Sequence, residues 1–417
     1  MIVQQLTPTT EQVELEALLT RLRAPALSLR PFSPEAVDFC QAFSRRIFTD
    51  PDAKRFPELH ALAFWMRKAE LVRMRTEFEA LNRKPVRLTP RGLVFHVPPT
   101  NVDTISIYSW LLAFLTGNCN IMRLSPRAGE QSHILVRLLN AELAGAPPVL
   151  QNGTAVISYG RDTDITAAIS QACDVRVIWG GDATVNSIRA IPLSPHGRDV
   201  AFPDRYSFSA IEADSYLTAS DAVQKELSVR FFNDVFWFDQ MACSSPHLVA
   251  WCSQDPDACK RASENFYERV GAYAASRGLV AEPATRISKF TFACRAILDR
   301  PVTRYNSYGN ELSVVSIAGI SNLSREHSGG GMVYQVFLRD LLEIVPFVER
   351  RDQTLTHFGF SQETLESVAL AANGRGIDRI VPIGDALSFR RYWDGMDLFQ
   401  EMTRAVYIDP GIRSTPS

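Results

Sequence analysis

The residues that could do chemistry are few and well separated. Cys243 lies in "FWFDQMACSSPHLVAW" (236–251), where Ser244, Ser245 and Pro246 break an aromatic, apolar run. A thiol at such a turn is either a presented nucleophile or a small buried residue, and free cysteines are usually the second. Asn101 lies in "HVPPTNVDTISIYSW" (96–110), after a short apolar run that reads as a strand. Its amide could donate to a developing oxyanion, or Asn101 and Asp103 could simply cap the helix that follows. Gly180 and Gly181 close "VRVIWGG" (175–181) and precede a helix pattern, where backbone N–H groups could meet a pyrophosphate or merely form a tight turn. His96 and His247 are read as strand-end residues, with a Cys–His pair as the alternative for either. The seven histidines show no metal-ligand spacing, so no metal is expected.

Bulk properties narrow the classes. The chain has 417 residues, 46% hydrophobic and 22% charged, with a net charge of −2. That composition fits a multidomain enzyme and lacks the basic footprint of a nucleic-acid binder. Seven scattered cysteines without a C-x-x-C pair argue against a disulfide framework or structural zinc and for a reducing, cytoplasmic setting. The N-terminal residues lack the pattern of a signal peptide, and the apolar run 105–115 is too short to span a bilayer, which takes about 20 residues.

The elements that must position these residues follow from periodicity. Residues 1–85 read as helical, including "EQVELEALLTRLR" and "LHALAFWMRKAELVRMRTEFEAL" around a Pro-rich hinge. From 91 on, short apolar runs alternate with helical patterns. Strands are expected at 92–97, 120–124, 154–160, 175–181, 199–202 and 206–213, with helices at 103–117, 130–143 and 183–190. Beyond Cys243 follow "HLVAWC", a helix over 256–276, and strands at "KFTFACRAIL", "LSVVSIAGI", "VYQVFL", "TLTHFGF" and "RIVPIG". The fold class is therefore α/β with mostly parallel sheets. The expected divisions are a helical segment (1–90), a first α/β domain (91–213), a second (214–394) and a C-terminal segment (395–417). "SGGG" (328–331) is read as a loop rather than a phosphate cradle.

Four stretches together resemble the aldehyde dehydrogenase superfamily, specifically its fatty acyl-CoA reductase (LuxC-type) branch. They are "GLVFHVPPTNVDTISIYSWLLAFLTGNCNIMRLSP", "VRVIWGGDATVNSIR", "FDQMACSSPHLV" and "DRIVPIGDALSFRRYWDGMDLFQEMTR". The resemblance implies an aldehyde-dehydrogenase-like pair of Rossmann-like domains, the first for cofactor and the second catalytic. It implies Cys243 as the acyl-accepting nucleophile and Asn101 as oxyanion donor. Arg123 and Ser125, in "GNCNIMRLSP", fall at cofactor-contacting positions, as do Gly180 and Gly181. An arginine where the superfamily usually has lysine suits a 2′-phosphate, hence NADPH, with NADH as the alternative.

The implied reaction reduces a long-chain acyl-CoA or acyl-protein thioester to the aldehyde, as in bacterial luminescence. Implied partners are an acyl-protein synthetase, an acyl-transferase subunit and further copies of the chain in a homo-oligomer. Where hydrolytic members carry a water-activating Glu, ungapped alignment places Phe202, which favours thioester chemistry over hydrolysis. Phe236, Trp237 and Phe238 could line an acyl channel. Two other readings stand beside this one: a Cys-dependent acyltransferase or thioesterase without nicotinamide, and a non-catalytic acyl-binding scaffold of the same fold.

Overall fold

The computed structural model describes residues 1–27, 29–99, 102–321 and 324–409. The chain divides into two compact units, residues 1–203 with 389 onward, and residues 204–388.

The amino-terminal part of the first unit carries β1 (Ile2–Thr7), β2 (Glu11–Glu14), β3 (Val86–Pro90), β4 (Leu93–Val97), β5 (Cys119–Leu124), β6 (Thr154–Ser158), β7 (Val175–Trp179) and β8 (Arg198–Phe202). Its seven-stranded sheet runs β2-β1-β6-β5-β4-β7-β8. β1 is antiparallel to both of its neighbours, and the other pairs are parallel. The five parallel strands, taken in chain order, lie in the sequence 3-2-1-4-5, the dinucleotide-fold arrangement. The strand order reverses between β4 and β7, the point beyond whose carboxyl ends open sheets of this order hold their ligands. Every residue of β4 and β7 is buried, as expected of strands covered on both faces. Helix Thr104–Leu115 crosses the sheet and is buried nearly all round. The N-terminal helix Pro34–Thr49 covers it: Phe39 packs on Trp110 and Phe114, with ring centroids 6.2 and 5.5 Å apart. β3 pairs with the C-terminal strand Thr403–Tyr407.

The second unit carries β9 (Tyr206–Glu212), β10 (Pro246–Cys252), β11 (Val302–Tyr308), β12 (Leu312–Ile317), β13 (Met332–Leu338), β14 (Asp352–Phe358) and β15 (Arg379–Pro382). They are ordered β11-β12-β13-β10-β9-β14-β15. Only the β11–β12 pair is antiparallel. Helices Asp221–Phe236 and Pro256–Ser276 bury Phe231, Phe266 and Tyr267 against one face, around Trp251.

Four expectations fail, each for a visible reason. The N-terminal residues are not all helical. β1 and β2 pair there, and "EQVELEALLTRLR" becomes helical only from Leu15. The inward face of β1 carries Val3, Gln5 and Thr7, so its polar buried positions erase the apolar alternation. The helix expected across 59–81 is two, Pro57–Trp65 and Lys68–Leu81. "KFTFACRAIL" is not a strand but part of helix Pro283–Asp299. That helix starts on a proline and buries Lys289, Ala293 and Ala296 at helical spacing, while Phe290, Ile297 and Leu298 face solvent. Finally, β9 belongs to the second sheet, between β10 and β14, so the chain divides at Pro203/Asp204 rather than after 213.

One buried acid ties the second unit together. Asp234, on the helix leading to Cys243, accepts the N–H groups of Gly384 (2.7 Å) and Ala386 (3.1 Å). Burial outweighs those donors and pushes its carboxyl up to about 8. The folded state thus holds this proton more tightly than the unfolded chain. Its stabilising contribution is full below about pH 4 and lost as pH rises through about 8. Urea midpoints should therefore fall between about pH 5 and pH 9, and Asp234→Asn should flatten that part of the slope.

Candidate active site

In the second unit, the chain leaves helix Asp221–Phe236 and reverses through Asp239 and Gln240, both left-handed (φ 49° and 62°). Non-glycine residues rarely adopt this conformation without compensation. Here the compensation is the fully buried Gln240 side chain, which donates to Pro246 O (2.8 Å) and Met332 O (3.0 Å) and accepts from Gly331 N (3.0 Å). The Asp239 carbonyl accepts Gly330 N at 2.8 Å. "SGGG" is therefore a close-packed support under the cysteine turn. Gly329, Gly330 and Gly331 are all left-handed, and a Cβ on Gly331 would come within 2.3 Å of Glu311 O.

Cys243 follows at the amino end of β10 and is half-buried. Ser207 Oγ, on β9, donates to its carbonyl (2.8 Å). Gln353 Nε2, on β14, lies 3.6 Å from its sulfur. Thr354 closes the group: its N–H donates to Ser207 Oγ (3.2 Å) and its hydroxyl to Gln353 Oε1 (3.2 Å). The beginnings of two strands thus grip one residue.

The other cysteines separate from it. Burial raises the thiol pKa of Cys40 and Cys252, of Cys119 and Cys259 to about 11, and of Cys173 to about 12. Cys294 is exposed on helix Pro283–Asp299. Beside the Cys243 turn, Ser245 Oγ and both ring nitrogens of His247 are buried without a hydrogen-bond partner. Buried polar groups are ordinarily hydrogen-bonded, so these three atoms stand out. His247 stacks on His327 (3.8 Å between ring centroids), and burial, then His327, holds its pKa well below the ordinary histidine value. His96 is a satisfied core histidine, bonded to Ser109 Oγ (2.7 Å) and Asn120 Oδ1 (3.0 Å). Phe236 belongs to the core, stacked on Phe232, whereas Trp237 and Phe238 are half-buried.

In the first unit, the remaining candidates gather at the carboxyl ends of the parallel strands. Val97 pairs with Ile178, so Pro98 and the Trp179–Gly180 step flank the reversal point. Gly181 caps helix Asp182–Arg189 with no side-chain hydrogen bond, leaving that helix start to backbone N–H groups. A Cβ on Gly180 would meet the Thr184 methyl at 3.2 Å. Arg123, ending β5, lies over the Tyr159 ring (4.9 Å) and donates to Gly160 O (2.6 Å). Ser125 caps the next turn by accepting Arg127 N (3.1 Å). Asn101 lies outside the described residues. Asp103 does not cap its helix; it accepts Ser132 Oγ at 2.8 Å. Phe202 is buried against Trp179, rings stacked at 3.6 Å, so no carboxylate stands at that position. A glycine turn leading into a helix without a side-chain cap from Gly181, at the point where the strand order reverses, is the kind of place where such sheets hold a dinucleotide.

Sequence reasoning missed Gln240, Gln353 and Ser207. Gln240 lies three residues before the cysteine but is recognisable only by its bonds to the distant Gly331 and Met332, and strand pairing alone brings Ser207 and Gln353 to the cysteine. Among the described residues, no cluster of His, Cys, Asp or Glu could hold a metal ion, and no helix is long and apolar enough to cross a membrane.

Residues 67–405 match the family model described as acyl-CoA reductase (LuxC). The long-chain acyl-protein thioester reductase of Aliivibrio fischeri is 24% identical over 323 residues, covering 73% of this chain and 61% of that protein. The chain therefore spans less than two thirds of that relative's length. Among solved structures, aldehyde dehydrogenase 21 from Physcomitrella patens, in complex with succinate, superposes with a TM-score of 0.67 at 13% identity, over 95% of this chain and 91% of that one. Mycobacterium tuberculosis aldehyde dehydrogenase complexed with NAD+ gives 0.65 at 11% identity, over 96% and 92%. The likeness to these structures is one of fold: two α/β units of the aldehyde dehydrogenase kind.

Proposed function

The chain belongs to the acyl-CoA reductase (LuxC) family, and on that premise we propose that it reduces a long-chain acyl thioester to the aldehyde through a Cys243 acyl-enzyme. The observation that carries this reading is the Cys243 turn: a half-buried sulfur, clamped from β9 and β14, with unpartnered buried polar groups beside it.

Cys243 Sγ attacks the thioester carbonyl of an acyl-CoA or acyl-protein. A new C–S bond forms to the enzyme, the C–S bond to the donor breaks, and the thiol proton leaves with the departing sulfur. The oxyanion donors are the Asn101 amide, assigned by family resemblance, and the Cys243 N–H; one such donor is typically worth about 3 kcal/mol of barrier. A reduced nicotinamide dinucleotide held at the carboxyl ends of the first unit's parallel strands would supply the hydride that turns the enzyme thioester into aldehyde. The helix start at Gly181 would hold its pyrophosphate, with Gly180 allowing close approach, and Ser125 would border the adenosine end. Arg123 would hold the 2′-phosphate of NADPH. The carboxylate that would activate water is replaced by Phe202, which favours reduction over hydrolysis. The donor proteins of such a reductase, its homo-oligomeric state and its cytoplasmic setting belong to this reading too.

The test is consumption of NADPH by the purified chain with tetradecanoyl-CoA and shorter thioesters. Aldehyde formation coupled to NADPH loss is expected. CoA release without NADPH loss would favour a thioesterase or acyltransferase, and binding without turnover a scaffold. Arg123→Leu should raise KM for NADPH roughly tenfold or more while leaving KM for NADH within about twofold, because only the phosphate contact is lost. Equal effects on both cofactors would contradict the assignment.

A further inference from the structure

We propose that Gln353 is a catalytic residue of acyl transfer, holding the Cys243 sulfur as thiolate through its side-chain amide. The proposal rests on the reading of Cys243 as the acyl acceptor and deepens it.

A thiol with an ordinary pKa of about 8.5 is only a few per cent ionised near neutrality, so a cysteine nucleophile needs a group that favours its anion. In this structure a neutral amide touches the sulfur, with Gln353 Nε2 at 3.6 Å. Thr354 Oγ1 donates to Gln353 Oε1, with the NH2 end of the amide at Cys243. Gln353 and Thr354 are fully buried near the start of β14, so the donor cannot swing away into water. Ser207, itself bonded to Thr354 N, holds the Cys243 carbonyl and keeps the backbone from retreating.

An N–H donor binds a charged acceptor more strongly than a neutral one, so this arrangement lowers the free energy of the thiolate relative to the thiol. The same donor remains beside the sulfur when the aldehyde departs and the thiolate is regenerated. A glutamine that merely fills space beside a cysteine would leave the sulfur's ionisation unchanged, and that difference can be measured.

The experiment follows carbamidomethylation of Cys243 by iodoacetamide across pH, read by peptide mass on the full chain without acyl donor or nucleotide. Exposed Cys294 in the same digest is the internal reference. Gln353→Met, which keeps bulk but removes the donor, should raise the Cys243 midpoint by about one pH unit. That is about a tenfold slower reaction below both midpoints, with Cys294 unmoved. Gln353→Glu keeps the shape and the acceptor for Thr354, so it serves if the methionine variant does not fold. Its carboxylate should shift the midpoint upward at least as far. Ser207→Ala should shift it less than either. If either Gln353 variant folds and leaves the Cys243 midpoint within about 0.2 unit of the parent, the proposal is overturned. Alkylation needs no acyl substrate, so failure of the acyl-enzyme reading, seen as no adduct from acyl-CoA, stays separate from failure of this one.

Discussion

Replacing Cys243 by alanine should lower thioester-dependent NADPH oxidation by at least about 1,000-fold. The covalent route splits a difficult reduction into two easier steps, and without the sulfur neither an acyl-enzyme nor its hydride acceptor exists. Cys243→Ser should be nearly as inactive, since a hydroxyl in the same cradle ionises far less readily than a thiol. The fold should survive both changes. Cys243 is half-buried, and the turn is held by Gln240, Gly330, Gly331 and Ser207 rather than by the sulfur, so unfolding free energy should move by less than about 1 kcal/mol. The checks are steady-state rates with tetradecanoyl-CoA and urea unfolding of the same preparations. Retention of more than about a tenth of the parent rate by the alanine variant would remove the cysteine from the mechanism.

The largest loss of stability should come from Arg176→Met. Arg176, on β7, is 1% exposed and grips Asp199 of β8 through two bonds, Nε to Oδ1 at 2.7 Å and Nη2 to Oδ2 at 3.0 Å. Its third nitrogen, Nη1, donates to Ser170 Oγ (2.9 Å) and Ile191 O (3.0 Å), joining two helices' ends to the sheet at the amino ends of β7 and β8. Removing one partner of a buried pair leaves the other charge poorly solvated, at a typical cost of 3–5 kcal/mol. Asp199 is less buried and keeps Arg189 at 3.9 Å, so the lower end, about 3 kcal/mol, is expected, or roughly 6–12 °C in melting temperature. Arg176→Lys should recover only part of this, because an ammonium cannot reproduce the planar two-bond grip. A loss below about 1 kcal/mol in urea unfolding would contradict this reading of the pair.

The same residues show what the sequence made legible. Alternation of short apolar runs with helical patterns revealed both parallel sheets, because strands buried on both faces, such as β4, β7 and β10, are predominantly apolar. The glycines at 180 and 181 stand where a strand passes into a helix, as their types implied. What stayed hidden depends on partners distant in the chain. β1 buries glutamine and threonine, so its inward face has no apolar signature. Helix Pro283–Asp299 displays Phe290, Ile297 and Leu298 on its outer side and buries alanines, which inverts the usual pattern. The cysteine's surroundings were the least legible. Residues 207, 331 and 353 reach the turn that carries residues 240 and 243 only after β9, β10, β13 and β14 have paired in register. The glycine run at 329–331 signalled a turn, but not that it supports the nucleophile.

The central claim is a transient thioester on Cys243, and intact-protein mass spectrometry tests it most directly. After incubation with tetradecanoyl-CoA, the parent chain should gain the mass of one tetradecanoyl group, mapped to the peptide containing Cys243. The gain should disappear when NADPH is added and be absent in Cys243→Ala. No adduct on the parent, or an adduct that persists in Cys243→Ala on another thiol such as Cys294, would contradict the account.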